Sequence, residues 1–174
     1  HVAIFVDLWE PEELTAADLD AVELAASFAA TAAVDLCRGN SGKLTFSVSG
    51  ETPFFHTGAA SKPLLNTLLD HLATARSSSR SHPFKHGFQA ANFGMQGTTL
   101  LLVSTRPPEI LETILRSEST STVPGPNIPD RLHRISVLDP EFAHWFSISN
   151  NPMVTQSLED KGSANAQKKP ATVG

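Results

Sequence analysis

Few side chains in this sequence are spaced for chemistry, and each of those needs a partner. His82 and His86 stand four residues apart with Pro83 between them. On a helix that spacing puts both imidazoles on one face, as a zinc pair needs, yet no third ligand is in sight. Without it they read as solvent or packing histidines. Ser104, His56 and Asp139 would be the members of a nucleophile, base and orienter set. No serine lies in the G-x-S-x-G turn that exposes a nucleophile above a sheet, so a hydrolase has no local support. Neither G-x-G-x-x-G nor G-x-x-x-x-G-K-[ST] occurs, which removes the glycine-rich cradles for nucleotide phosphates. Cys37 is the one cysteine, so a disulfide framework, a CxxC redox pair and a zinc finger are all excluded. In the last turn of an apolar helix it reads as an inert core thiol.

That leaves two polar segments at the ends of apolar runs. The first is Asp7-Leu8-Trp9-Glu10, leading into Pro11-Glu12-Glu13; the second is Ser104-Thr105-Arg106. Two readings stand for Asp7: an acceptor for backbone N–H groups of its own turn, or the centre of a ligand site. Trp9 is either packing or an interface anchor of the kind that protein contacts favour. The glutamates are either a solvated face or part of the same contact.

Both segments must be positioned by the elements before them. His1 to Trp9 is a near-continuous apolar run, which fits a strand buried on both faces in a parallel sheet. Thr15 to Arg38 is a long helix, with Thr15 and Asp18 spaced as a capping box and Gly39-Asn40 as the stop. From Leu24 to Val34 it is small and apolar on nearly every side, so a central, well-buried helix is expected. Lys43 to Ser49 alternates, with Leu44, Phe46 and Val48 on one face. A short turn at Gly50 to Pro53 makes the next strand, Phe54 to Gly58, antiparallel. A leucine helix spans Ser61 to Arg76, with Ser61 as its cap and Pro63 in its first turn. His82 to Met95 is expected to hold a short helix, and Thr98 to Val103 a buried strand. A helix comes next from about Pro107 to Arg116, with Ile110, Leu111, Ile114 and Leu115 inward. Ser117 to Asp130 reads as loop, Arg134 to Leu138 as a strand, and Glu141 to Ile148 as a short docked segment.

Strands alternating with helices give an α/β three-layer sandwich, with a mostly parallel sheet and one antiparallel edge strand. Right-handed crossovers bring the C-terminal ends of the parallel strands to one rim. Ligands of open α/β sheets bind at that rim, which is where Asp7 to Trp9 and Ser104 to Arg106 fall.

Composition narrows the rest. A chain of 174 residues holds one domain of ordinary size, ~150 residues, with a remainder long enough for a tail. The expected division is a domain over 1–149 and a disordered tail over 150–174, where apolar residues and periodicity run out. A net charge of −5 speaks against a generic nucleic-acid binder, since phosphates want a basic face. No apolar run approaches the ~18 to 20 residues of a membrane span. The chain opens at His1 without a methionine, so it is expected to be a soluble fragment whose upstream segments are missing.

The run FVDLW, the helix VELAASFAATAAVDLCR, the strand KLTFSVSG and the leucine helix LLNTLLDHLA resemble a von Willebrand factor A-type domain. More narrowly, they resemble the one at the C-terminal end of the bacterial "domain of unknown function fifty-eight" family. The resemblance covers roughly Val2 to Asp139. It implies a von Willebrand factor A-like fold and a chain held at the cytoplasmic face of the membrane through segments upstream of His1. It also implies a protein partner, a MoxR-type AAA+ ATPase, in a chaperone-like or assembly role. A von Willebrand-type metal site needs Asp-x-Ser-x-Ser, because hard Mg2+ takes oxygen ligands. Here Trp9 and Pro11 replace both serines, and Ser104 or Thr105 replaces a later Asp. The expectation is therefore a degenerate site, with Asp7 the ligand if any ion binds, no cofactor, and no catalysis. Asp7, Trp9, Glu10, Ser104, Thr105 and Arg106 are the expected partner-binding residues. A small-molecule or metal-dependent enzyme at the same rim is the alternative. A pocket with converging polar groups between the Asp7 and Ser104 loops would favour that enzyme, and a flat or Trp-filled rim the binding module.

Overall fold

The computed structural model describes residues 1–39, 42–81, 98–119 and 131–146. Its elements run β1 (Val2–Asp7), α1 (Ala16–Arg38), β2 (Lys43–Ser49), β3 (Phe54–Ala59), α2 (Lys62–Thr74), β4 (Thr99–Ser104), α3 (Pro108–Ser119), β5 (Leu132–Ser136) and α4 (Phe142–Trp145). One five-stranded sheet has the order β3-β2-β1-β4-β5. The pairs β1–β2, β1–β4 and β4–β5 are parallel, and β2–β3 is antiparallel at the edge. The expected mostly parallel α/β sheet with one antiparallel edge strand is what forms.

Alternation along the strands builds a core on each face. Ile4, Val6, Leu44, Phe46 and Val48 pack with α1 and α2, through Ala25, Ala29, Leu64 and Leu68. Ala3, Phe5, Leu100 and Leu102 pack with Leu111 and Leu115 of α3. Helices on both faces are consistent with a three-layer α/β arrangement.

The caps form as their residues dictate. Thr15 accepts the Asp18 N–H, and the Asp18 carboxylate accepts the Thr15 N–H at 2.8 Å, a complete capping box. Ser61 accepts the Leu64 N–H, with Pro63 in the first turn. Gly39 ends α1 in a right-handed conformation, and the left-handed turn comes later, at Gly42 with φ of 85°.

Several expectations change. α1 is not buried on nearly every side: its fully buried stripe is Ala21, Ala25, Ala29, Ala33 and Cys37, at four-residue spacing. Small side chains there let the helix lie close to the sheet, while Glu23, Thr31 and Asp35 face out. Phe28 is on the flank, where its ring meets Phe142 and Phe146 edge-on at 5.3 and 5.2 Å. In α3, Leu111 and Leu115 take the buried row, and Ile110 is 41% exposed. The helix also runs on to Ser119, past the expected loop start at Ser117. β5 begins two residues earlier than expected and ends at Ser136. The expected short helix at His82 to Met95 and the expected tail after Asn150 lie outside the described residues. Among the described residues, no helix is long and apolar enough to cross a membrane.

Candidate functional site at the sheet rim

Four parallel strands stop on one line. Asp7 of β1 stands in register with Ser49 of β2 and Ser104 of β4, and Ser104 with Ser136 of β5. All four side chains are buried. A buried polar row needs internal partners, because unsatisfied polar groups there are costly. The partners come from two loops that cross the rim.

The first loop comes after α2. Gly50 lets it approach: a Cβ on Gly50 would sit 2.2 Å from the Arg76 carbonyl oxygen. The Glu51 N–H bonds that carbonyl at 3.0 Å, and the Ser78 N–H bonds the Leu8 carbonyl at 2.9 Å. Ser81 is thereby carried over Asp7. Its hydroxyl reaches Asp7 Oδ1 at 2.5 Å and lies 3.1 Å from both Ser49 Oγ and the Ser49 carbonyl.

The second loop comes after β4. Ser104 Oγ donates to Asp7 Oδ2 at 2.9 Å, and Arg106 Nε donates to the same oxygen at 2.8 Å. Arg106 Nη2 also bonds the Ser81 carbonyl, and the Arg106 N–H bonds Ser104 Oγ at 3.1 Å. Ser136 Oγ closes the arrangement by donating to the Arg106 carbonyl at 2.6 Å. Thr105 ties the two strand exits together: its N–H bonds the Asp7 carbonyl at 3.1 Å and its hydroxyl the Trp9 carbonyl at 2.6 Å.

The Asp7 carboxylate, with no exposed surface, thus receives three donors and a full positive charge. Arg106 is itself only 7% exposed. Its guanidinium carbon lies 5.0 Å from the centre of the Trp9 ring, a cation–π contact. Trp9 is half-buried, and Glu10 beside it accepts a hydrogen bond from the Ser77 hydroxyl. Glu12 and Glu13 are exposed.

The structure therefore brings together all six residues expected at the rim. It buries Asp7, Ser104, Thr105 and Arg106 and leaves the Trp9 to Glu13 segment facing solvent in part. Asp7 takes side-chain donors from other loops and gives its carbonyl to Thr105. Sequence reasoning missed Ser49, Ser81 and Ser136. A signal existed for two of them: Val6-Asp7, Val48-Ser49, Val103-Ser104 and Ile135-Ser136 each place a small polar residue after a β-branched one at a strand's end. Ser81 comes from a loop and carries no such mark.

The hydrolase set is not assembled. His56 is on β3 and Asp139 lies just past β5, at opposite edges of the sheet, while Ser104 is committed to Asp7. His82 and His86 lie outside the described residues. Cys37 is buried in the α1 stripe. Among the described residues no three His, Cys, Asp or Glu side chains come together for a metal. The oxygens nearest such a role are Asp7 with the Ser49, Ser81 and Ser104 hydroxyls, and a divalent ion there would have to compete with the Arg106 guanidinium. Comparison with known protein families, curated proteins and solved structures finds no match to this chain.

Proposed function

We propose that this chain is a non-enzymatic protein-interaction module of von Willebrand factor A-like type, whose metal site is degenerate and whose cation is its own Arg106. The observation that carries this reading is the Asp7 carboxylate, bonded by Ser81, Ser104 and Arg106 and so committed on both oxygens. A fixed guanidinium supplies the charge that a bound ion would otherwise bring, so the rim keeps its shape without one. Trp9, held by Arg106 and Thr105, then presents a rigid indole beside Glu10, Glu12 and Glu13. A large apolar ring with one N–H suits protein recognition. In this reading the buried residues position the loop, and the partly exposed segment makes the contact. The resemblance to the "domain of unknown function fifty-eight" family suggests a MoxR-type AAA+ ATPase as the partner, in a membrane-associated complex.

The test pairs two measurements. Trp9→Ala weakens binding to that ATPase, by ~2 kcal/mol or more if Trp9 is a central anchor, and chelator changes neither binding nor stability. Calorimetric titration with Mg2+ or Mn2+ gives no stoichiometric heat. A micromolar signal abolished by Asp7→Ala would restore an ion-binding site and sink the metal-free reading.

A further inference from the structure

The chain has two tryptophans, and the fold treats them oppositely. Trp9 carries a guanidinium, since Arg106 lies over its ring while bonding the Asp7 carboxylate. Trp145 is 74% exposed, the most exposed large apolar side chain among the described residues. It lines a depression at the β5–α4 end of the molecule with Arg134, Ile135, Asp139, Glu141 and Phe142. Its volume is about 50 Å³, far below the ~300–1,000 Å³ of small-molecule sites. That is room for one cationic head.

The lining has the chemistry for such a head. Ile135 and Phe142 are apolar, Trp145 offers a π-face, and Asp139 and Glu141 bring negative charge. Among the described residues neither carboxylate is in an ion pair. Asp139 Oδ1 accepts only a backbone hydrogen bond from Glu141, at 2.9 Å. The guanidinium at hand, Arg134, is drawn away to Glu112 of α3. The depression thus repeats the indole-plus-carboxylate setting of Trp9 and Asp7, without its arginine.

We propose that this depression recognises an arginine side chain presented by a protein partner. The guanidinium stacks on Trp145 and hydrogen-bonds towards Asp139 and Glu141. Arginine fits better than lysine because its planar, weakly hydrated fork can stack and pair at once. A protein source is implied by size: the depression holds only the head, so the rest of the ligand lies across the surrounding surface, where Leu138 is also exposed. This surface shares Ser136 with the sheet rim but includes neither Trp9 nor Asp7, and the proposal does not depend on the reading given above.

The experiment uses the full chain labelled with 15N. Its two indole N–H signals are assigned with Trp145→Phe and tracked against the capped peptides Gly-Arg-Gly and Gly-Glu-Gly. The expected result is a saturable shift of the Trp145 indole with the arginine peptide and none with the glutamate peptide. Asp139→Asn with Glu141→Gln weakens binding roughly tenfold. Asp139→Asn keeps the oxygen that holds the turn, and unchanged amide signals in β5 confirm the fold. No shift, an equal response to both peptides, or unchanged affinity in the double variant overturns the proposal. Binding seen only after Lys168→Ala and Lys169→Ala would overturn it too, since the chain's own lysines would then be the occupant.

Discussion

Asp7 and Arg106 lie in the first core-facing layer below the rim, and removing one is not the same as removing both. Arg106→Met keeps the length of the side chain and deletes its charge. It leaves the Asp7 carboxylate buried with two hydroxyl donors and no positive partner. Breaking a buried pair in this way costs about 3–5 kcal/mol. Asp7→Asn on top of Arg106→Met removes the uncompensated charge, keeps an acceptor for one of the Ser81 and Ser104 hydroxyls and turns an N–H donor to the other, which can accept it. The double variant is therefore expected to be more stable than Arg106→Met alone, by more than about 1 kcal/mol. Urea denaturation of the single and double variants measures this. Equal stabilities would show that the pair is uncoupled and that Arg106 matters only for packing on Trp9. At this scale Asp7, Ser104 and Arg106 were legible, because each lies at the exit of an apolar strand. Ser49 and Ser136 carry the same strand-end mark, but that they join Asp7 and Ser104 in one row is a property of register and not of any one segment.

Among the elements, α1 shows what local sequence does and does not specify. Its start was legible, since Thr15 and Asp18 bond each other whatever the tertiary fold. Hydrogen bonds from the Thr15 side chain and backbone hold the Asp18 carboxyl below its ordinary value of 3.8. A lowered carboxyl contributes stability that is complete above the unfolded value and is lost as pH falls through the folded one. Thr15→Val should therefore lower the melting temperature near neutral pH, and the deficit should shrink in strong acid, once the pH has fallen well below the lowered folded value and Asp18 is protonated in both proteins. A deficit independent of pH would mean that the hydroxyl acts on the helix alone. The buried face of α1 was not legible, because alanines on several sides leave no single apolar stripe. The strand order then decides, and Ala25 and Ala29 go to the sheet. Phe28 packs instead on Phe142 and Phe146, so Phe28→Ala removes an aromatic cluster that ties α1 to α4. A loss of about 3 kcal/mol is expected, at the low end for a phenylalanine because the site is only partly buried. A similar ambiguity arose in α3, where Ile110 and Leu111 are neighbours about 100° apart and cannot both face the sheet. Leu111 and Leu115, one turn apart, form the row that does.

The whole molecule is organised around two cores that share one sheet, and its last described residues close one of them. Phe142 is buried, and the Phe142 and Phe146 rings lie 5.8 Å apart, both against Phe28. The Phe142 and Phe146 amides anchor this end of the chain through the Asp139 and Phe142 carbonyls. The sequence beyond Asn150 has no aromatic residue, and its large aliphatic side chains are confined to Met153, Val154, Leu158 and Val173. On composition alone, such a segment is expected not to offset the entropy of ordering. Two truncations separate these contributions. Ending the chain after Asn150 should leave the melting temperature unchanged within error. Ending it before Phe142 removes both rings and opens the flank of α1, a loss of about 3–5 kcal/mol. For a domain of this length that corresponds to a fall of roughly 10 °C. If the first truncation also lowers the melting temperature by many degrees, residues beyond Asn150 pack on the domain, and its boundary lies further along the chain. If the second truncation has no effect, the aromatic cluster is peripheral, and the Ala21 to Cys37 stripe holds α1 to the sheet unaided.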